Sequence, residues 1–299
     1  FPFDATDSLS TILLSTINYV ATHQGTIAQE RQDLVEKWLQ DAETLREDSL
    51  KFLRGLPFAN RQVLLRGERV GEFFHVFLIE KMLREIGYAD WQYPSRMAQG
   101  LNVVGPVQPS HVWAPDPDLE RCKAKISVAE FVAGARDFRA KISSTFKHDD
   151  NSKDIYENTI KERDLKFCEG PFLTEADVSQ HLGTDEWKPM RRFGVPQKGG
   201  IRGVDDAAEN DANATSSRLE KLATSSVDAI VSFIRIWITL MGEGQELGTW
   251  AMDEYKAYRQ IPVQPDQRRF AVVAVVNPNL DPRSGRPRPR LEYFVMNGS

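Results

Sequence analysis

The chain has 299 residues, of which 41% are hydrophobic and 27% charged, with a formal net charge of −5. That is the make-up of an ordinary globular protein long enough for two domains, and it excludes a chain that coats nucleic acid by bulk positive charge. Cys122 and Cys168 fit neither a paired metal spacing nor a disulfide framework, and no apolar run approaches the roughly 18 residues of a membrane span, so a reducing, intracellular setting is expected.

In chain order, residues 8–54 read as helical. Leu9, Ile12, Leu13, Ile17 and Val20 recur at helical spacing, and Leu34, Trp38, Leu39 and Leu45 repeat it. The clearest helix is predicted over Gly67–Tyr88, where Val70, Phe74, Phe77, Leu78 and Met82 form an apolar stripe and Glu80 stands one turn before Arg84. Residues 94–117, which bear Pro and Gly, predict a loop or short strand passage. Residues 118–147 predict a long helix or a pair, with Asp116 or Asp118 as cap. The polar run 148–154 predicts the main boundary, and a helix follows over 154–167. In Thr174-Glu175-Ala176-Asp177 a hydroxyl precedes an acid by three residues, the spacing of a capping box.

Residues 192–204 predict two short strands joined by a glycine turn, and 226–240 return to helical spacing. Phe270–Val276 is continuously apolar and 291–296 nearly so; both predict buried strands around a Pro-, Arg- and Gly-rich loop. The expected class is α+β. A helical N-terminal region spans 1–150, a segment bearing a basic hairpin spans 151–222, and 223–299 completes a small antiparallel sheet. Charge is uneven along this order. Lys188, Arg191, Arg192, Lys198 and Arg202 occur without an intervening acid, and Arg283, Arg286, Arg288 and Arg290 cluster near the end. The C-terminal third is therefore expected to be able to hold a polyanion.

Two stretches carry chemistry. Lys198 and Arg202 flank Gly199-Gly200, and a strand-turn-strand bearing one compact cation and one planar fork suits a triphosphate. Downstream, Asp253 directly follows Trp250-Ala251-Met252, where a strand end would aim its carboxylate into a cleft; nucleotidyl transfer needs hard oxygen ligands for Mg²⁺ at such a place. Five histidines show no ligand spacing, and Gly242-Glu243-Gly244 with Gly248 misses the dinucleotide fingerprint.

The string Asp253-Glu254-Tyr255-Lys256-Ala257-Tyr258-Arg259-Gln260-Ile261-Pro262-Val263 resembles the first catalytic block of the reverse transcriptase palm, in which an Asp is followed after three residues by Ala and an aromatic. Gln197–Asp206 resembles the fingers hairpin of retroelement-type members. Gly203 stands where many relatives carry Pro, and Ala207 where they carry an aromatic, departures that loosen the strand. Leu291–Gly298 resembles the approach to the next block, so the resemblance covers roughly 187–299.

The resemblance implies an incomplete polymerase-like fingers and palm. Asp253 would be the catalytic metal ligand, assisted by the carbonyl of Glu254, and Mg²⁺ the cofactor. Lys198, Arg202, Asp206 and the backbone amides of Lys256 and Ala257 would meet the dNTP, and Tyr258 would be the steric gate beneath its sugar. A nucleic-acid primer–template would be the partner, with no membrane. The chain begins without Met, ends in a strand-like run and holds no Tyr-x-Asp-Asp block, so it is expected to be a fragment that cannot polymerise alone. The alternatives are a non-enzymatic nucleic-acid-binding remnant and a helical protein-interaction module.

Overall fold

The computed structural model of the chain describes residues 11–65, 73–222, 227–241, 248, 257–279, 285 and 288–298. The described helices are α1 (Thr11–Thr22), α2 (Ile27–Thr44), α3 (Arg46–Arg54), α4 (Phe58–Leu64), α5 (Val76–Glu85), α6 (Tyr93–Gln99), α7 (Val128–Ala133), α8 (Ala135–Thr145), α9 (Ser152–Asp164), α10 (Glu175–Leu182) and α11 (Val227–Met241). The strands are β1 (Cys168–Phe172), β2 (Met190–Gln197), β3 (Gly200–Asp205), β4 (Val272–Asn277) and β5 (Arg290–Met296). This is an α+β protein, and no described helix is long and apolar enough to cross a membrane.

The chain divides into two compact units, Phe1–Thr44 with Leu222–Glu254, and Leu45–Lys221 with Tyr255–Ser299. In the first, α1 packs on α11, and the Tyr19 hydroxyl donates to Glu30 of α2 at 2.6 Å. The Gln24 amide reaches the Met241 sulfur of α11 at 3.1 Å.

The second unit is built on the sheet, ordered β1-β5-β4-β2-β3. The sheet is mixed, not antiparallel as the sequence suggested. β2 runs parallel to β4 through Met190↔Val273 and Arg191↔Ala274, while every other neighbouring pair is antiparallel. Both faces are covered, which explains the unbroken apolar run of β4. Val273, Val275 and Phe294 pack with Ile155 of α9, whereas Val272, Ala274 and Tyr293 pack with Phe138 and Ile142 of α8 and Val178 of α10. The polar run 148–154, expected to separate domains, instead joins α8 to α9 within one unit. Burial pushes the Cys168 thiol up to about 12, which makes it a core residue and not a nucleophile.

Local rules account for most helix starts. Thr174 Oγ1 accepts from the Asp177 amide while Asp177 accepts from the Thr174 amide, the expected capping box, and left-handed Gly183 ends α10. Ser127 and Glu130 make the same box for α7. The helix expected from Asp116 or Asp118 therefore starts later, at Val128; Asp116 instead accepts from the Asp118 amide at 3.0 Å in a turn. Of the helix predicted over 67–88, residues 73–88 are described; only α5, Val76–Glu85, is helical, so the helix starts after Phe74 and ends before Tyr88. There Glu80 accepts from Ser95, and Arg84 lies over the Trp91 ring at 4.0 Å. Pro94 sits in the first turn of α6, where a missing N–H costs nothing.

Two extended segments fix the C-terminal elements. Leu101 donates to the Pro262 carbonyl at 2.9 Å and accepts from Gln264 at 3.0 Å. On the other side, Val263 donates to the Asn297 carbonyl at 2.8 Å. The stretch following Tyr258 is thus clamped between the 101 region and the end of β5.

Candidate functional site

The hairpin β2–β3 pairs Arg192 with Asp205, Val195 with Arg202 and Gln197 with Gly200, so Lys198 and Gly199 form the turn. Lys198 and Arg202 are exposed. One face of the hairpin leans on α9: a Cβ at Gly194 would sit 2.7 Å from Ile201 and 3.0 Å from Ile155. Opposite Gly194 stands Gly203, where a Cβ would meet the Arg192 side chain at 3.3 Å.

Arg192 anchors a four-charge cluster at the hairpin root. Its Nε and Nη2 donate to Asp205 at 2.6 and 2.9 Å, and its Nη1 donates to Glu162 at 2.9 Å and to Thr159 at 3.0 Å. Arg259 closes the ring, donating to Asp205 at 2.9 Å and lying 3.6 Å from Glu162. The Arg192 side chain is only 3% exposed. Burial alone would lower its pKa, but Asp205 and then Glu162 outweigh that and hold it above the usual arginine value. At Asp205 burial likewise opposes charge, and Arg192 followed by Arg259 drives the carboxyl well below its ordinary range. Two cations and two anions alternate, so the buried group is neutral overall.

Arg259 is the residue after Tyr258. Ala257–Gln260 form a short 3-10 helix on which Tyr258 is 72% exposed. Gly298 lets this turn approach the sheet, because a Cβ there would collide with the Arg259 carbonyl oxygen. Gly298→Ala is therefore expected to displace the turn and to destabilise the unit by about 1–3 kcal/mol. Urea denaturation measures this; an unchanged midpoint would mean that the close approach has no energetic consequence.

Of the residues singled out from sequence, the structure brings the hairpin bearing Lys198 and Arg202 and the turn bearing Ala257 and Tyr258 into contact through Asp205–Arg259. Asp206 stands apart from that pair; its carboxylate accepts from the amides of Ala208 and Glu209 at 3.1 and 2.7 Å and closes a turn. Asp253, Glu254 and Lys256 lie outside the described residues, so neither the expected metal ligands nor the Lys256 amide has a position here. Among the described residues no group of three or more His, Cys, Asp or Glu side chains could hold a metal ion.

The basic run is less available than its composition implied. Lys188 pairs with Asp211 at 3.2 Å and lies over the Phe131 and Phe138 rings. Arg191 pairs with Glu209 at 2.9 Å, and Arg192 is enclosed by Asp205, Glu162 and Thr159. From the second cluster, Arg290 pairs with buried Glu292 at 2.6 Å. Sequence reading missed Glu162, Asp205 and Arg259. The only local sign was an acid at 205 in the strand facing a cation at 192, legible once the hairpin register is known.

Comparison of the chain with protein-family models, with curated proteins and with solved structures found no match to any of the three.

Proposed function

We propose that residues 187–299 belong to a reverse transcriptase-like nucleotidyltransferase, acting on a dNTP and a primer–template. In this reading Lys198 and Arg202 grip the triphosphate and Tyr258 lies against the sugar. Asp253, with the Glu254 carbonyl, would hold Mg²⁺; these are hard oxygen donors of the kind that ion prefers. The metal would supply charge stabilisation at the transferring phosphate.

The observation that carries the reading is the Asp205–Arg259 ion pair at 2.9 Å. It ties the root of the Lys- and Arg-bearing hairpin to the turn that presents Tyr258, so the groups assigned to the triphosphate and to the sugar stand on adjoining elements of one unit. Tyr258 is also largely exposed, so its ring is not part of the hydrophobic core. The alternative of a non-enzymatic nucleic-acid binder has less to draw on, since Lys188, Arg191 and Arg192 already face internal acids.

Equilibrium binding of a fluorescent dNTP, with and without Mg²⁺, tests the proposal. Lys198→Ala and Arg202→Ala are each expected to weaken binding about tenfold or more, the loss of one charge-assisted hydrogen bond at about 1.5–3 kcal/mol. Tyr258→Ala should narrow the preference for dNTP over rNTP. Binding indifferent to Mg²⁺ and to both cations would overturn the assignment.

A further inference from the structure

The parallel pairing of β2 and β4 lasts for only two residues on each strand, Met190↔Val273 and Arg191↔Ala274. Beyond that point β2 turns away to pair with β3, and β4 continues beside β5 to Asn277↔Arg290. Two parallel strands that diverge leave a crevice at their carboxyl ends, the place where open sheets with parallel neighbours present ligand sites. Here the crevice is a cavity of about 420 Å³, roofed by the end of α8, the 146–151 connection and the first turn of α9. That volume lies within the range of about 300–1,000 Å³ usual for small-molecule sites.

Its walls are chemically divided. Ile142, Ala274, Val276 and Leu291 line it with aliphatic surface, and Phe146 and Phe193 add two rings. Its polar lining includes both acids and cations, and most of these are already matched. Asp149 accepts from the Asn151 amide at 3.0 Å and from the Ser152 hydroxyl at 2.9 Å. Glu209 is held by Arg191 at 2.9 Å and by Lys141 at 3.3 Å, and its carboxyl is lowered, chiefly by the Arg191 hydrogen bond. Arg192 is balanced by Asp205 and Glu162. Among the described residues exposed Lys147 pairs with no acid, and Lys141 and Arg191 share the one carboxylate of Glu209. With Arg192 balanced, three cations therefore face the two acids Asp149 and Glu209, a net positive lining at the edge of an apolar chamber.

We propose that this cavity is a binding site for a small aromatic anion, its flat ring against the aliphatic and phenyl walls and its charged group toward Lys147. An unmatched cation favours an anion over a neutral ligand, and the apolar area favours a ring over an inorganic ion. The site is independent of the nucleotide reading: it rests on the separation of β2 from β4 and involves neither the hairpin turn nor Tyr258.

The test is a fluorescence titration of the full chain with 2-naphthoate and with its uncharged counterpart, 2-naphthalenemethanol. Saturable binding of naphthoate is expected. Lys147→Ala, a change at an exposed position that leaves the fold intact, should weaken naphthoate about tenfold and leave the alcohol unaffected. Leu291→Trp, which fills the chamber, should abolish binding of both. Failure of wild type to bind naphthoate saturably would overturn the proposal. So would equal losses of acid and alcohol in Lys147→Ala, or undiminished binding by a folded Leu291→Trp chain. Inorganic phosphate should not compete; competition at equal concentration would show a bare cation site and likewise overturn it.

Discussion

Arg192→Ala is expected to destabilise the larger unit by about 3–5 kcal/mol at neutral pH, the cost of leaving buried opposite charges without their partner. Asp205 would keep its bond from Arg259, and Glu162 would lose its 2.9 Å partner while the Arg259 contact stands at 3.6 Å. Thr159, which accepts from Arg192 and itself donates to the Ile155 carbonyl, would lose one partner in a site closed to water. The sign of the pH dependence follows from Asp205, whose folded carboxyl lies well below its unfolded value. A depressed acid stabilises the fold above the ordinary carboxylate pKa of about 4, and that stabilisation is lost as pH falls below it. The wild-type chain should therefore lose stability between about pH 5 and pH 3, and the gap between it and Arg192→Ala should narrow over the same interval. Urea midpoints at pH 7 and pH 3 measure both effects. A change below about 1 kcal/mol at pH 7, the scale of an exposed pair, would mean that Arg192 is solvated and not the keystone of the hairpin root.

The same arginine shows where sequence reading stopped. As one of five cations between Trp187 and Arg202, Arg192 is indistinguishable from Lys198 in a charge count. What separates them is distance along the chain to their acids. Arg192 meets Glu162, 30 residues earlier, and Asp205, 13 residues later, whereas Lys198 sits at the tip of a turn. Features set by neighbours within a few residues were legible: the Thr174–Asp177 box, the glycine-linked hairpin and α9 all stand close to where spacing put them. Burial on both faces was also legible in β4, because an unbroken apolar strand has no solvated side to offer.

Strand β1 was not legible, since Gly170-Pro171 inside Cys168–Phe172 reads as a break. It survives because it lies at the sheet edge, with its register shifting between Glu169 and Phe172, so the missing proline donor breaks no regular ladder. Nor was the parallel contact of β2 with β4 legible. Hydrophobic pattern fixes which faces of a strand are buried, not which strand lies alongside or in what direction. The division into units is hidden for a related reason: Phe1–Thr44 groups with Leu222–Glu254, and no local break in composition announces a pairing across nearly 180 residues. For the candidate site, the hairpin cations and Tyr258 were visible as a pattern; the Asp205–Arg259 contact that relates them was not.

Phe294→Ala is expected to cost about 3–5 kcal/mol, the range for emptying a phenyl site in a packed core. Phe294 is fully buried on β5, which is flanked by β1 and β4, so the backbone around it is paired on both sides and is poorly able to collapse into the space. Its ring meets Tyr156 of α9 edge-on, with centroids 6.4 Å apart, and a Cβ on Gly170 would lie 3.1 Å from it. The ring therefore fastens α9 to the sheet, and α9 supplies Glu162 and Thr159 to the Arg192 cluster. Losing it should lower Tm by roughly 6–20 °C for a unit of this size. It should also loosen the hairpin root, so that, on the proposed function, dNTP binding weakens with stability and not independently of it. Leu173→Ala, at an exposed position just past β1, provides the contrast at about 0.5 kcal/mol or less. Thermal unfolding of the two variants decides the matter: equal shifts would mean that Phe294 fills no core, and that the helix α9 holds its place by the charged cluster alone.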